Sequence, residues 1–169
     1  MLVIGIDPGT ATTGFGLIRQ PENGGLELVD YGVVETPADS PMPERLMQLH
    51  SALINLLSLH RPVSGAVEKL FFQRNVTTAI SVGQARGVAL LALAQAGVPV
   101  GEYSPREVKR AVASYGDADK RQMQEMVRIL LGMAAVPHPD DAADALAVAI
   151  CHIHSQGISH RLTGMGGGR

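Results

Sequence analysis

Short apolar blocks bounded by glycine dominate the first 35 residues. Beyond them, apolar residues recur mainly at helical spacing. Residues 2–7 read as a buried strand that ends in Asp7 and is broken at once by Pro8-Gly9. Gly14 to Arg19 reads as a second strand. Leu26 to Glu35, after the Asn23-Gly24-Gly25 turn signal, reads as a third, so the start of the chain predicts an antiparallel meander. Pro43 opens a helix with Leu46, Leu49, Leu53 and Leu57 on one stripe. Ser64 to Leu70 is strand-like, with Glu68 near its end, and a helix apolar nearly all round follows over 76–96. Val98 to Tyr103 reads as a fifth strand. Ser104 then caps a helix that has Pro105 at its first position and runs to Ala113. Residues 117–132 predict the next helix. Pro137-His138-Pro139 breaks the pattern, and Asp140 or Asp141 caps a last helix to about His154. The order βββ-α-β-α-β-α-α-α predicts an α/β fold: a mixed five-stranded sheet, antiparallel at first and then parallel, flanked by helices. Residues 1–158 read as one domain and 159–169 as a flexible glycine-rich tail.

Composition narrows the class. A hydrophobic fraction of 46% over 169 residues suits one globular domain with a substantial core and excludes a disordered chain. No apolar run is clean enough to span a bilayer. Met1-Leu2-Val3 enters a strand directly, without a basic leader, which predicts a cytoplasmic protein. The single cysteine, Cys151, suits a reducing compartment and reads as a buried, inert thiol. A net charge of -2 does not announce a nucleic-acid binder, yet catalytic acids lower net charge without removing a basic patch elsewhere. The only three lysines are Lys69, Lys109 and Lys120.

The candidate chemistry is acidic. Asp7 and Glu68 each fall near a strand end, and neighbouring strands would bring their carboxylates together. Asp141 and Asp144, three apart at the start of a helix, share a face. Alanines at 142, 143, 145, 147 and 149 permit close backbone approach, while Leu146, Ile150 and Ile153 form a separate apolar stripe. Converging carboxylates repel one another unless cations offset the charge. All-oxygen ligands favour Mg²⁺ or Mn²⁺ over zinc. Two such ions about 4 Å apart serve phosphodiester cleavage, one activating a water and the other stabilising the leaving oxygen. Taken singly, each acid has a plain structural reading as a turn cap, a surface ion pair or a helix cap; the four together fit that reading poorly. Asp140 reads as a helix cap that could replace Asp141 as ligand.

These motifs, in this order, resemble the RuvC family, bacterial Holliday-junction resolvases with an RNase H-like fold. The carriers are Gly5-Ile6-Asp7-Pro8-Gly9 with Gly14-Phe15-Gly16; Glu68 with Phe71 and Phe72; Asn75, Thr78 and Gly83-Gln84-Ala85-Arg86-Gly87; Tyr103-Ser104-Pro105 with Val108-Lys109; and Asp141 to Ala147. The resemblance implies a homodimer that nicks two opposing strands of a four-way DNA junction, leaving 5′-phosphate and 3′-hydroxyl ends. It also implies work beside a branch-migration motor of the RuvA and RuvB type and a preference for a short T-containing sequence. Carried over by motif, Asp7, Glu68, Asp141 and Asp144 are the metal-binding catalytic acids, and some relatives carry histidine at the position of Asp141. Phe71 matches an aromatic that stacks on bases, and Lys109 and Lys120 match residues that hold phosphate near the scissile bond. Lys69 and Arg74 flank the aromatic pair and are candidates for backbone phosphate.

The helix over 76–96 reads as a core helix whose outer side, by the resemblance, makes a two-fold dimer contact. His138, His152, His154 and His160 lack a metal-ligand spacing and read as ordinary surface or partly buried histidines. The rival classes are an actin-like or sugar-kinase-like nucleotide binder, suggested by Asp7-Pro8-Gly9-Thr10, and a non-catalytic junction-binding module. The chain is too short for the two lobes of the first, and four collected acids argue against the second.

Overall fold

A computed structural model of the chain describes residues 1–69 and 76–164. Strands β1 (Leu2–Asp7), β2 (Thr12–Arg19), β3 (Glu27–Glu35), β4 (Ser64–Glu68) and β5 (Val100–Tyr103) form one sheet in the order β3-β2-β1-β4-β5. The meander pairs antiparallel, whereas β4 pairs parallel with β1 and β5 parallel with β4. The predicted mixed sheet is therefore present, and β1, buried on both faces, lies at its centre.

Helices α1 (Met42–His60) and α2 (Val76–Gln95) cover one face. Helices α3 (Pro105–Ala113), α4 (Lys120–Leu130) and α5 (Asp140–Gly164) cover the other. Strand alternation sorts the side chains. Ile4, Ile6, Leu17 and Val67 meet Leu49, Leu53, Leu57, Ala85, Ala89 and Leu93 on the first face. Val3, Ile18 and Ala66 meet Val108, Val112, Met123, Val127, Leu146 and Ile150 on the second. The leucine stripe of α1 is buried as its spacing requires, except for Leu46, which stays half-exposed.

Helix α5 approaches the sheet closely because both surfaces have been stripped of side chains. A Cβ added at Gly14 would lie 1.9 Å from the Asp141 carbonyl oxygen, and one at Gly5 would lie 2.1 Å from that of Ala145. Ala142, Ala143, Ala145 and Ala149 are buried at the contact. Glycine is required at 5 and 14 because a helix backbone occupies the space a side chain would take.

Element ends differ from expectation by a few residues. Strand β2 starts at Thr12, two residues early, and β4 ends at Glu68. Helix α4 covers Lys120–Leu130 rather than 117–132, and Asp119 caps it through a capping box with Gln122. The last helix runs to Gly164, ten residues past His154, because a helix backbone continues where apolar periodicity has ceased. The expected tail therefore begins within helical backbone over 159–164. Asp140 is not a cap: it is the first residue of α5, and its carboxylate accepts from Gln124 Nε2 at 2.8 Å and pairs with Lys120 Nζ at 2.8 Å.

Candidate active site

Two adjacent strand ends and one helix start build the site. In the parallel β1–β4 pair, Gly5 lies opposite Ala66 and Ile6 opposite Val67. One residue further, Asp7 and Glu68 end the two strands. By alternation both side chains follow Gly5 and Ala66 onto the α5 face. Adjacent strands are about 4.8 Å apart, so the two carboxylates are neighbours. Asp7 also pairs with Gly14, over which the Asp141 backbone lies. The bare glycine thus lets the start of α5 descend onto the sheet edge that carries Asp7.

Glu68 and Asp144 share a cleft of about 190 Å³ with Lys109 from α3, Lys120 from α4, and Pro105, Val108, Met123 and Ala147. The capping boxes of Ser104 and Asp119 fix the starts of α3 and α4, which orients both lysines. Lys120 is the first residue of α4 and lies 3.8 Å from Asp144. A wider depression of about 470 Å³ near Arg110 and His154 lies beside the middle of α5, away from these acids. The acids, not cavity size, locate the chemistry.

Electrostatics marks the acids as a repelling set. Burial, followed by the charges of Asp144, Glu68 and Asp141, pushes the Asp7 carboxyl up to about 7, against a smaller lowering by Lys120. Glu68 is pushed to about 7 by burial and Asp144, with Lys109 opposing. Asp144 is raised chiefly by burial, with Lys120 opposing and Asp140 and Asp141 adding to the rise. Three carboxyl groups that resist ionisation at one edge are held there against stability. Among the described residues, no three Asp, Glu, His or Cys side chains lie close enough together to hold a metal ion as they stand, so the acids would have to draw in around one. Lys120, paired with Asp140 and near Asp144, supplies part of the missing positive charge. The donor set is all oxygen and short of cations, which fits a hard divalent ion and does not fit zinc.

Several expected residues lie elsewhere. Lys69 is exposed just beyond β4, and Phe71 and Arg74 lie outside the described residues. His138 is exposed and acts on Asp140 rather than on Asp7 or Glu68. His152 is not a surface or half-buried histidine. It is 4% exposed, with Nε2 2.6 Å from Ser64 Oγ and Nδ1 2.9 Å from the Tyr103 hydroxyl. Cys151 is a buried free thiol that burial pushes up to about 11, which makes it inert as expected. Sequence reasoning had Val108 only as part of the Val108-Lys109 motif and missed Met123 as an apolar wall of the cleft. Each belongs to an amphipathic stripe, with Val112 and with Val127, and that stripe was the available signal.

A family model described as RuvC, crossover junction endodeoxyribonuclease, matches residues 3–152. The chain belongs to the RuvC family. The family protein of Chloroflexus aurantiacus is 62% identical over 155 residues, covering 92% of this chain and 94% of the relative. That of Desulfitobacterium hafniense is 58% identical over 164 residues, covering 97% and 99%. Among solved structures, Thermus thermophilus RuvC superposes with a TM-score of 0.87 at 38% identity, covering 94% of this chain and 97% of that one. The same protein in complex with Holliday junction substrate gives 0.85 at 37% identity, covering 94% and 96%. The fold is the RuvC fold, an RNase H-like α/β sheet, and the protein is a nuclease. RuvC membership removes the nucleotide-binding alternative raised by Asp7-Pro8-Gly9-Thr10. Among the described residues no helix is long and apolar enough to cross a membrane.

Proposed function

We propose that this chain nicks two opposing strands of a four-way DNA junction symmetrically, leaving 5′-phosphate and 3′-hydroxyl ends, with Asp7, Glu68, Asp141 and Asp144 as the metal-holding catalytic acids. The observation that carries this reading is the facing of repelling carboxylates and two lysines across one cleft. A protein that only bound DNA would gain by losing those acids. Mg²⁺ fits the oxygen donors, with Mn²⁺ able to substitute, and the acids suffice for two ions. When bound there, such ions supply Lewis acidity toward phosphate oxygens and lower the pKa of water.

The protein's own residues set the geometry. Asp7 and Glu68 are rigid because each ends a strand of the central sheet. Asp141 and Asp144 are carried by a helix seated directly on that sheet. Lys109 and Lys120, at the cleft rim, hold the DNA backbone, and Lys120 leaves Asp140 as phosphate arrives. Lys69, Phe71 and Arg74 extend the DNA contact beyond β4, with Phe71 stacking on bases near the junction centre.

A symmetric substrate calls for a symmetric enzyme, and α2 supports a homodimer. Its inner side is buried through Ala85, Ala89 and Leu93, whereas Ile80 and Leu91 are 59% and 52% exposed and Gly87 leaves open space between them. Small and aliphatic residues on one open helix face suit an isologous contact. A branch-migration motor of the RuvA and RuvB type is the partner this activity implies, and DNA as substrate places the protein in the cytoplasm. The test is incubation of a synthetic four-way junction with Mg²⁺ or Mn²⁺, beside linear duplex and the Asp7→Asn variant. Paired symmetric nicks confined to the junction and lost in the variant are expected. Binding without cutting, or equal cutting of duplex, overturns the reading.

A further inference from the structure

Glu68 is held from both faces of the sheet. Its side chain points with Ala66 toward α5. Its backbone carbonyl, at the last residue of β4, accepts from Arg86 Nε at 3.2 Å. Arg86 belongs to α2, which packs on the opposite face through Ala85, Ala89 and Leu93. The same guanidinium forms an ion pair with Glu102 on β5, beside Tyr103, the strand partner of Glu68. The side chain of Arg86 is 19% exposed, so this is a packed contact rather than a loose surface pair. A planar guanidinium presents donors to both acceptors in a fixed fork, whereas an ammonium offers them from a flexible stem.

We propose that Arg86 is a positioning residue that fixes the Glu68 peptide from behind the sheet, so that the carboxylate is aimed at the metal site before metal and DNA arrive. The assignment rests on Glu68 being a metal-holding acid. Among the described residues, the β4–β5 ladder ends with the Lys69 amide donating to the Tyr103 carbonyl at 2.7 Å. That bond is, among the described residues, the last backbone link between the two strand ends. Arg86 ties the ends of β4 and β5 to α2. Because α2 carries the open face proposed for the dimer, the same side chain joins that helix to the catalytic carboxylate.

The experiment compares the full-length wild type with Arg86→Ala, Arg86→Lys and Glu102→Gln. It reads Mn²⁺ binding by water-proton relaxation without DNA, kcat and KM on a synthetic junction, and melting temperature. For Arg86→Ala the expected result is a loss of about 10–100-fold in Mn²⁺ affinity and in kcat, the range for residues that orient metal ligands, with KM unchanged. Lysine restores part of both, and Glu102→Gln, which keeps the bond to the Glu68 carbonyl, falls between wild type and Arg86→Ala. Wild-type Mn²⁺ affinity and kcat in Arg86→Ala overturn the proposal. So does a loss of activity that tracks the unfolded fraction alone and that lysine does not relieve. Should Arg86→Ala fail to fold, unchanged Mn²⁺ affinity in Glu102→Gln overturns it. A wild type that binds Mn²⁺ without nicking junctions breaks the resolvase reading, and Arg86 is then judged on Mn²⁺ affinity. A wild type that binds no Mn²⁺ overturns both.

Discussion

The start and the middle of α5 treat polar groups in opposite ways. At its start, Asp141 and Asp144 meet Asp7 and Glu68 at the sheet edge, where burial and mutual repulsion raise the Asp7, Glu68 and Asp144 carboxyls. Three turns along, His152 is buried, yet both its ring nitrogens have partners, and Gln156 Nε2 reaches Nε2 at 2.8 Å. Burial favours its neutral form. The second cluster is neutral and satisfied, and it fastens the helix to β4 and β5. The first is charged and short of cations, and it stores repulsion that a divalent ion would relieve. Buried polarity alone does not mark a functional site; buried charge without compensation does.

The comparison breaks most sharply if the acidic end proves dispensable. Asp7→Asn is expected to lower nicking at least about 10³-fold, on the scale of removing a principal electrostatic group, while junction affinity by gel shift stays within a few-fold. Retained cleavage would remove Asp7 from the site. Next in size is Gly14→Ala, which sets a methyl against the Asp141 carbonyl. The start of α5 must lift, and a misplacement near 1 Å costs about 10²-fold in rate. The same change costs about 1–3 kcal/mol in stability by denaturant unfolding. A variant with wild-type rate would mean that the helix start need not touch the sheet.

At the satisfied cluster, His152→Ala takes one partner each from the Ser64 and Tyr103 hydroxyls, which keep Gln156 and Ser155, so a loss of about 1–3 kcal/mol is expected by urea denaturation. Nicking per folded molecule should remain near wild type. A rate loss exceeding the stability loss would show that the two clusters are coupled.

The smallest effect is the pH dependence of the metal-free protein, and here the two clusters pull in opposite senses. Asp7 and Glu68 have folded values near 7, above the ordinary 3.8 and 4.5. The folded state therefore holds their protons more tightly. Their contribution is complete below pH 4 and is lost as pH rises to about 7. His152 has a folded value below its ordinary 6.5, so its contribution is present above that pH and is lost as pH falls beneath it. Asp7→Asn should flatten the loss between pH 4 and 7 and raise the metal-free melting temperature at pH 8 by about 3–6 °C, equivalent to roughly 1–2 kcal/mol. A lower melting temperature would give Asp7 a structural role instead. Since metal binding requires the ionised carboxylates, Mg²⁺ affinity by calorimetry should fall as pH drops below 7.

Much of this was legible in the chain. Period-two blocks broken by glycine yield the meander, leucines at helical spacing yield α1, and Ser104-Pro105 marks the start of α3, because each signal is local and backbone geometry responds to near neighbours. The acids were legible as candidates because a carboxylate at a strand end, or a pair three apart at a helix start, is chemically conspicuous. Three things were not legible. The neighbouring of β1 and β4, which makes Asp7 and Glu68 one site, is a pairing across some sixty residues of sequence that no local pattern specifies. Asp140 looked like a cap and instead pairs with Lys120 from another helix. Arg86 lay in plain view within α2, and only the packing of that helix on the sheet brings it to the Glu68 carbonyl. The sequence by itself determined the elements, the class of chemistry and the identity of the acids, since these follow from residue type and spacing. The tertiary structure alone decided which charges face one another, and charge repulsion, burial and the resulting pKa shifts depend on distance in space.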